Sequence, residues 1–334
     1  MKVLSLFDGI SCGRLALERA GIPVEKYYAS EIDKYAIQVA QKNYPDTIQV
    51  GDVNKLNYLE LLDVDIIIGG SPCQDLSIAK QNREGLRGAR SGLFWKYVEA
   101  LEVIRPKYFL LENVASMRKE DRDAITETLR KLYPETECIM INSALLSAQQ
   151  RKRYYWTNWH VEQPQDKGIL LKDILESGQS GQRNMVAEPV KIDNYFRKYG
   201  TKGKIMSPKT DKTQCLTASM GCGGGNNPLV AEPIRIGELD GLGKGQANRI
   251  YSVHGKSVCL NANGGGGGAK TGLYKVDLPD GDYLIRKLTP VECERLQTLP
   301  DNYTAGVSNT QRYKAIGNGW TVDVIAHILK SIKG

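Results

Sequence analysis

The chain has 334 residues, of which 41% are hydrophobic and 25% charged, with a formal net charge of +7. This is the composition of a globular chain with a substantial core, long enough for one large domain and a smaller one. No apolar run approaches the length of a bilayer span, and the charge permits a nucleic-acid partner without requiring one.

The N-terminus enters a strand at once, at Met1-Lys2-Val3-Leu4-Ser5-Leu6, which is not the pattern of a signal peptide. Strand Lys2–Phe7 leads into a helix over Gly13–Ala20, and strand Lys26–Ser30 into a helix over Lys34–Asn43. A short strand is expected at Ile48–Val50, a fourth at Val64–Ile68, a helix over Gly92–Ile104, and a fifth strand at Tyr108–Leu111 closed by Glu112-Asn113. This βαβ alternation predicts an α/β fold with a doubly wound, mostly parallel sheet over residues 1–180, completed by residues 305–334. From 181 to 304 glycines cluster and helical periodicity fades, which predicts a smaller, loop-rich domain with short β-like runs between turns. The end, Thr321–Ile332, reads as an amphipathic helix. Lys212–Gly221 and Lys256–Gly265 share a Lys-(Thr/Ser)-x-Cys-Leu-x-Ala pattern followed by glycines, so a duplicated loop is expected.

Seven cysteines lie scattered at 12, 73, 138, 215, 222, 259 and 293, without a Cys-x-x-Cys pair, beside three histidines. A structural zinc site is not expected, and the thiols point to a reducing, cytoplasmic compartment. Cys73 stands out. It lies in Gly69-Gly70-Ser71-Pro72-Cys73-Gln74, directly after a β-branched run, and ligands bind beyond the carboxyl ends of such strands.

Other strand ends carry matching chemistry. Phe7-Asp8-Gly9-Ile10-Ser11-Cys12-Gly13 joins the first strand to the first helix, where a glycine-containing loop cradles nucleotide-like ligands. Its spacing is not Gly-x-Gly-x-x-Gly, which argues against a dinucleotide and a nicotinamide-dependent oxidoreductase. Glu31 suits hydrogen bonds from ribose hydroxyls, or serves as an acid at a helix N-terminus. Asp52 suits an adenine amino group, or caps a turn. Three such strand ends together suggest a nucleoside-bearing cofactor. Glu112 suits proton or hydrogen-bond donation to a ring nitrogen, or caps the next helix. Arg151 and Arg153 fall on one face of an extended segment, either as a clamp for anionic or carbonyl groups or as charges on an edge strand.

Taken in order, Phe7–Gly13, Glu31, Gly51-Asp52-Val53, Ser71-Pro72-Cys73-Gln74, Glu112-Asn113-Val114, Gln149-x-Arg151-x-Arg153, Arg286–Gln297 and Gly317-Asn318-Gly319 resemble the cytosine-C5 DNA methyltransferases along nearly the whole chain. The catalytic part is similar to the vertebrate de novo enzymes. Arg249-Ile250-Tyr251-Ser252 through Gly264–Gly266 to Gly272 is similar to the recognition region of the HhaI-type bacterial enzymes. The resemblance implies a Rossmann-like sheet that binds S-adenosyl-L-methionine and a target-recognition domain that reads double-stranded DNA.

It further implies base flipping and a covalent bond from Cys73 to cytosine C6, with Glu112 at N3 and Arg153 or Arg151 near O2. Cofactor contacts carry over to Phe7, Asp8, Gly9, Ile10, Gly13, Glu31, Ile32, Asp52, Val53, Pro72, Leu93 and Asn318. DNA contacts carry over to Gln74, Ser77, Lys80, Arg83, Arg87 and Arg90 in the loop after Cys73. In the recognition part they carry over to Arg249, His254, Asn261, Asn263, Gly264, Gly265 and Gly266.

The sequence departs from the family where Ser11-Cys12 replaces glycines, Ile32 a frequent tryptophan, and Cys215 and Cys259 a frequent threonine. A monomer of bacterial or phage origin is expected, without metal, and with a restriction endonuclease as a functional partner rather than a subunit. Methylation of tRNA cytosine and a non-catalytic DNA-binding regulator are the competing readings. The glycine loops speak against the first, and the presence of Cys73, Glu112 and both arginines against the second.

Overall fold

The computed structural model describes residues 1–71, 92–176, 235–238, 249–260, 273–277, 283–286 and 288–332. Five near-continuous apolar or β-branched runs pair first. They are β1 (Lys2–Leu6), β2 (Lys26–Ser30), β3 (Ile48–Gln49), β4 (Ile66–Gly70) and β5 (Tyr108–Val114), all parallel. Val3, Leu4, Leu6, Ile66 to Ile68 and Phe109 to Leu111 are fully buried, as expected of strands covered on both faces. Two antiparallel strands, β6 (Glu137–Asn142) and β7 (Lys152–Thr157), complete a seven-stranded sheet in the order β3-β2-β1-β4-β5-β7-β6. The order reverses at β1, between β2 and β4, and the crevice beyond that point is where such sheets bind ligands.

Helices cover both faces. One layer holds α1 (Cys12–Ala20) and α2 (Lys34–Asn43), where Leu17 and Val39 share a core with Val322, Ile325 and Ile328 of the C-terminal helix. The other holds α3 (Gly92–Ile104) and α4 (Lys119–Leu132), which bury Phe94, Tyr97, Leu101, Ile125 and Leu129. Each fully buried Leu, Ile or Phe contributes about 1.5–3 kcal/mol, so the two layers set the sheet's curvature and position the loops at its carboxyl edge.

A second sheet orders β8 (Arg235–Glu238), β9 (Arg249–Ser252), β10 (Leu273–Asp277) and β11 (Tyr283–Arg286) as β11-β10-β9-β8. Its Tyr251 and Tyr274 share a third core with Leu296 of α5 (Pro290–Leu296) and Ile316 of α6 (Asn309–Asn318). The chain ends in α7 (Val322–Lys330). Helix α5 begins with a capping box, in which Thr289 accepts from the Glu292 N–H and Glu292 accepts from the Thr289 N–H. Residues 256–260 are stitched to the large sheet. Ser257 N donates to Ala148 O at 2.7 Å and Gln150 N to Ser257 O at 2.9 Å. The Lys256 ammonium, 1% exposed, donates to the carbonyls of Ala144, Ser147 and Ile169.

Several expectations needed adjustment. β4 starts at Ile66 and runs on through Gly70, because Gly69 and Gly70 pair with Leu111 and Glu112 instead of opening the loop. β5 continues to Val114, because β7 offers it an antiparallel partner that no local signal reveals. β7 itself is flanked by β5 and β6, so the charged segment around Arg151 and Arg153 is no edge strand. Helix α4 is capped at Arg118, not at Glu112. The first copy of the glycine loop, and the second beyond Leu260, lie outside the described residues.

Candidate active site

The carboxyl edge of the sheet encloses a cavity of about 420 Å³ lined by residues from both the first helical layer and the C-terminal part. That volume lies in the range of small-molecule sites, about 300–1,000 Å³. One end is built by the loop after β1. Phe7, Gly9 and Ser11 all take left-handed backbone conformations, with φ of 60°, 63° and 60°. Only glycine adopts this without cost, so the two side-chain-bearing residues need local compensation. Ser11 finds it by donating to Asp8 Oδ2 at 2.6 Å, while Tyr27 donates to Asp8 Oδ1 at 2.7 Å. Burial pushes the Asp8 carboxyl upward, and hydrogen bonds from Ser11, Ser5 and Tyr27 oppose that shift. Asp8 thus shapes the loop with its side chain. Ser11 itself stands in the left-handed region, with φ of 60°.

Glu31 fastens this loop to the next. Its Oε2 accepts from the Gly9 N–H at 2.8 Å, and its Oε1 from the N–H groups of Ile32 and Asp33 at 2.7 and 2.8 Å. Asp33, not Glu31, caps α2. Asp52 caps the turn that follows β3 by accepting from the Asn54 N–H at 2.9 Å, and it also lines the cavity. Its carboxyl is held below the usual range by that backbone hydrogen bond. Ile32 is 75% exposed at the cavity wall, an apolar side chain open to a flat ligand. Ile10, Val53, Leu93 and Asn318 complete this end. An ion pair of 2.6 Å between Lys314 and Asp33 spans its rim.

Gly13 lies within α1 and packs closely: a Cβ there would collide with Ile68 and approach Trp320 Cζ3 at 3.3 Å. Pro72 lies outside the described residues, as do Cys73 and all the proposed contacts in the loop that follows, from Gln74 to Arg90.

The other end of the cavity is centred on Glu112. Its Oε1 is 2.8 Å from Arg153 Nε, and its Oε2 accepts from Trp320 Nε1 at 3.1 Å. Gly70 makes room for this group, since a Cβ there would sit 2.8 Å from both Glu112 Oε2 and Trp320 Nε1. The arginines divide. Arg153 faces the acid, whereas Arg151, 5% exposed, donates to Leu260 O at 3.0 Å, Gly319 O at 3.0 Å and Gly317 O at 3.3 Å. Gln149 helps by accepting from the Leu260 N–H at 2.8 Å. Cys259 lies between the arginines, with Sγ 3.5 Å from Arg151 Nη1 and 4.0 Å from Arg153 Nη2. Burial pushes its thiol up, but the charges of Arg151 and Arg153 outweigh that and leave it below the ordinary value.

Arg249 starts β9 and His254 is exposed after it, and neither is among the described residues that line the cavity. Asn261, Asn263 and Gly264 to Gly266 lie outside the described residues. Sequence reasoning missed Trp320 as a site residue. Its trace in the sequence was the Trp320-Thr321-Val322 ending that follows Gly317-Asn318-Gly319, while its partner Glu112 is 208 residues away.

The chain is 27% identical to the orphan methyltransferase M.SPRI of Bacillus phage SPR, covering 99% of this chain and 97% of that protein. It is 28% identical to the type II methyltransferase M.HhaI of Haemophilus parahaemolyticus, over 99% and 94%. The fold matches that of the Entamoeba histolytica methyltransferase EhMeth with a TM-score of 0.66 at 17% identity, over 99% and 97%. The family model for C-5 cytosine-specific DNA methylases matches residues 1–334. The chain belongs to the C-5 cytosine-specific DNA methylase family.

Proposed function

We propose that this DNA (cytosine-5-)-methyltransferase acts on one flipped cytosine within a short GC-containing duplex site, through a covalent bond between Cys73 and C6 of the base. The observation that carries this reading is the held carboxylate of Glu112, with Arg153 beside it, at the opposite end of the cavity from the loop at Phe7–Ser11.

The family's cofactor is S-adenosyl-L-methionine, which supplies an electrophilic methyl group when bound. The residues present fit it. The left-handed loop from Phe7 to Ser11 brings backbone close to a ligand, Glu31 and Asp52 offer carboxylate oxygens for hydroxyl or amino donors, and Ile32 offers an apolar wall. Leu93, Val53 and Asn318 close the pocket.

C5 of cytosine is a poor nucleophile while the ring is aromatic. Attack by the Cys73 thiolate at C6 forms an S–C bond and pushes an electron pair toward C5, which becomes enamine-like and takes the methyl. Loss of the C5 proton and elimination of the thiolate restore the ring. Glu112 meets N3, where its carboxyl group supplies a proton as electron density builds on the ring, and Arg153 donates to O2, so the charge that builds there is met by groups already oriented. Arg151 acts one step away, by holding Leu260 and the segment Gly317–Gly319 around the pocket. Extruding the base costs a few kcal/mol, which contacts from the loop carrying Lys80, Arg83, Arg87 and Arg90 would offset together with those from the recognition part.

Transfer of labelled methyl from S-adenosyl-L-methionine by the purified protein tests the reading directly. Incorporation into duplex DNA, mapped to one sequence by bisulfite conversion, is expected. Incorporation into tRNA but not duplex DNA would contradict it.

A further inference from the structure

We infer that Trp320 is a positioning residue for methyl transfer, acting through Glu112. An indole N–H is a donor only, and here it is spent on Glu112 Oε2 at 3.1 Å. The other oxygen, Oε1, is held by Arg153 Nε at 2.8 Å. The two donors fix the carboxylate from opposite sides, so it cannot rotate freely about its terminal bond. They are not equivalent. Arg153 Nη1 also donates to Lys152 O at 2.9 Å and its Nη2 lies 4.0 Å from Cys259 Sγ, whereas the single indole N–H is committed to Glu112. Trp320 therefore keeps Oε2 in place with the one contact it can make.

The fold is arranged around this contact. Gly70 leaves the space that the indole N–H and the carboxylate occupy, and Gly13 leaves space for the far edge of the ring, 3.3 Å from the site of its Cβ. The backbone on either side of Trp320 is locked. Gly319 O accepts from Arg151 Nη2 at 3.0 Å and from Gln297 Nε2 at 3.1 Å, and Thr321 Oγ1 donates to Gln297 Oε1 at 2.8 Å. Trp320 shares the cavity wall with Phe7 and Asn318 at the cofactor end and with Glu112 at the base end. It is thus one rigid body between the two reactants. Because Arg151 also holds Leu260, the same lock extends to the second part of the chain.

The inference rests on the reading of Glu112 as the group at the base edge, and Glu112→Gln tests that reading alone. Full turnover by Glu112→Gln would remove it whatever Trp320 does. Trp320→Phe keeps an aromatic ring against Gly13 and Gly70 but removes the donor. Turnover of saturated enzyme is expected to fall about tenfold, the scale of one lost hydrogen bond to a charged group, with the dissociation constant for S-adenosyl-L-methionine changed less than twofold. Replacing Trp320 with benzothienylalanine, which keeps the bicyclic shape and exchanges only N–H for sulfur, should give the same split if the phenylalanine variant is unstable. Turnover within twofold of wild type in the benzothienylalanine protein, or a loss confined to cofactor affinity, would overturn the role of Trp320 and leave that of Glu112 standing.

Discussion

Arg153 and Glu112 lie on paired antiparallel strands, and Arg153 Nε stands 2.8 Å from Glu112 Oε1, with both side chains turned into the cavity. An acid and a guanidinium at one end of the cavity are thus held in one ion pair. Arg153→Ala is expected to lower kcat/KM for DNA by about 10²–10³, the scale of removing one preorganised donor from developing charge. Arg153→Lys should restore little, because an ammonium cannot engage Oε1 and a carbonyl in the same fork. Steady-state methyl transfer measures both. Wild-type turnover in the lysine variant would show that only charge is required.

Arg151 predicts a different phenotype. Its guanidinium donates to three carbonyls, at Leu260, Gly317 and Gly319, so Arg151→Ala removes those bonds and leaves Gly319 O with Gln297 Nε2 as its remaining side-chain donor. A loss of about 2–4 kcal/mol of stability is expected, with weakened affinity for both DNA and cofactor. Denaturant unfolding and calorimetric titration of the cofactor are the measurements. Full stability with a loss of turnover alone would instead place Arg151 against the substrate.

Gly70→Ala is the smallest change that should disturb the site. The added Cβ falls 2.8 Å from both Glu112 Oε2 and Trp320 Nε1. Crowding of this kind costs about 1–3 kcal/mol, and turnover should fall at least tenfold as the carboxylate is displaced. Unchanged kinetics would mean that Glu112 has freedom to relocate.

How far these features were legible in the sequence follows from the range of the interactions. Helices Lys34–Asn43 and Gly92–Ile104 end where local signals end them, at the Asp33 cap and before Pro106, and both match the expected bounds. Strands β1, β4 and β5 were visible as apolar runs because both their faces are buried. The carboxyl ends of β4 and β5 were not. Gly-Gly carries a turn signal unless a distant side chain needs its space, and Glu112 stays in a strand because Gly70 pairs with it on one side and Tyr155 on the other. Helix α4 was missed because Ile125 and Leu129 are its only fully buried apolar side chains within fourteen residues. Cys259 was read as the replacement of a frequent threonine, and nothing in its neighbourhood of sequence announces two arginines more than a hundred positions away.

The thiols give a pH-dependent prediction. Burial pushes Cys12 up to about 12 and Cys138 up to about 11, and it pushes Cys293 up as well. Cys259 moves the other way, because Arg151 and Arg153 outweigh its burial. A lowered value means more thiolate at a given neutral pH, and thiolate is the form that alkylates. Among these four, Cys259 should be carbamidomethylated first near pH 7, and its lead should shrink as pH rises and the other thiols ionise. Peptide mass spectrometry after brief iodoacetamide treatment checks this, and labelling of Cys138 ahead of Cys259 would contradict it.

The central claim is the covalent bond between Cys73 and the base. Duplex DNA carrying 5-fluorocytosine at the target site tests it most directly, because after methyl transfer C5 holds fluorine and no proton is left to remove. Elimination is then blocked, and the account predicts a denaturant-resistant adduct of one protein with one DNA strand, dependent on cofactor and absent in Cys73→Ser. Active methylation of ordinary cytosine at that site without any such adduct would contradict it.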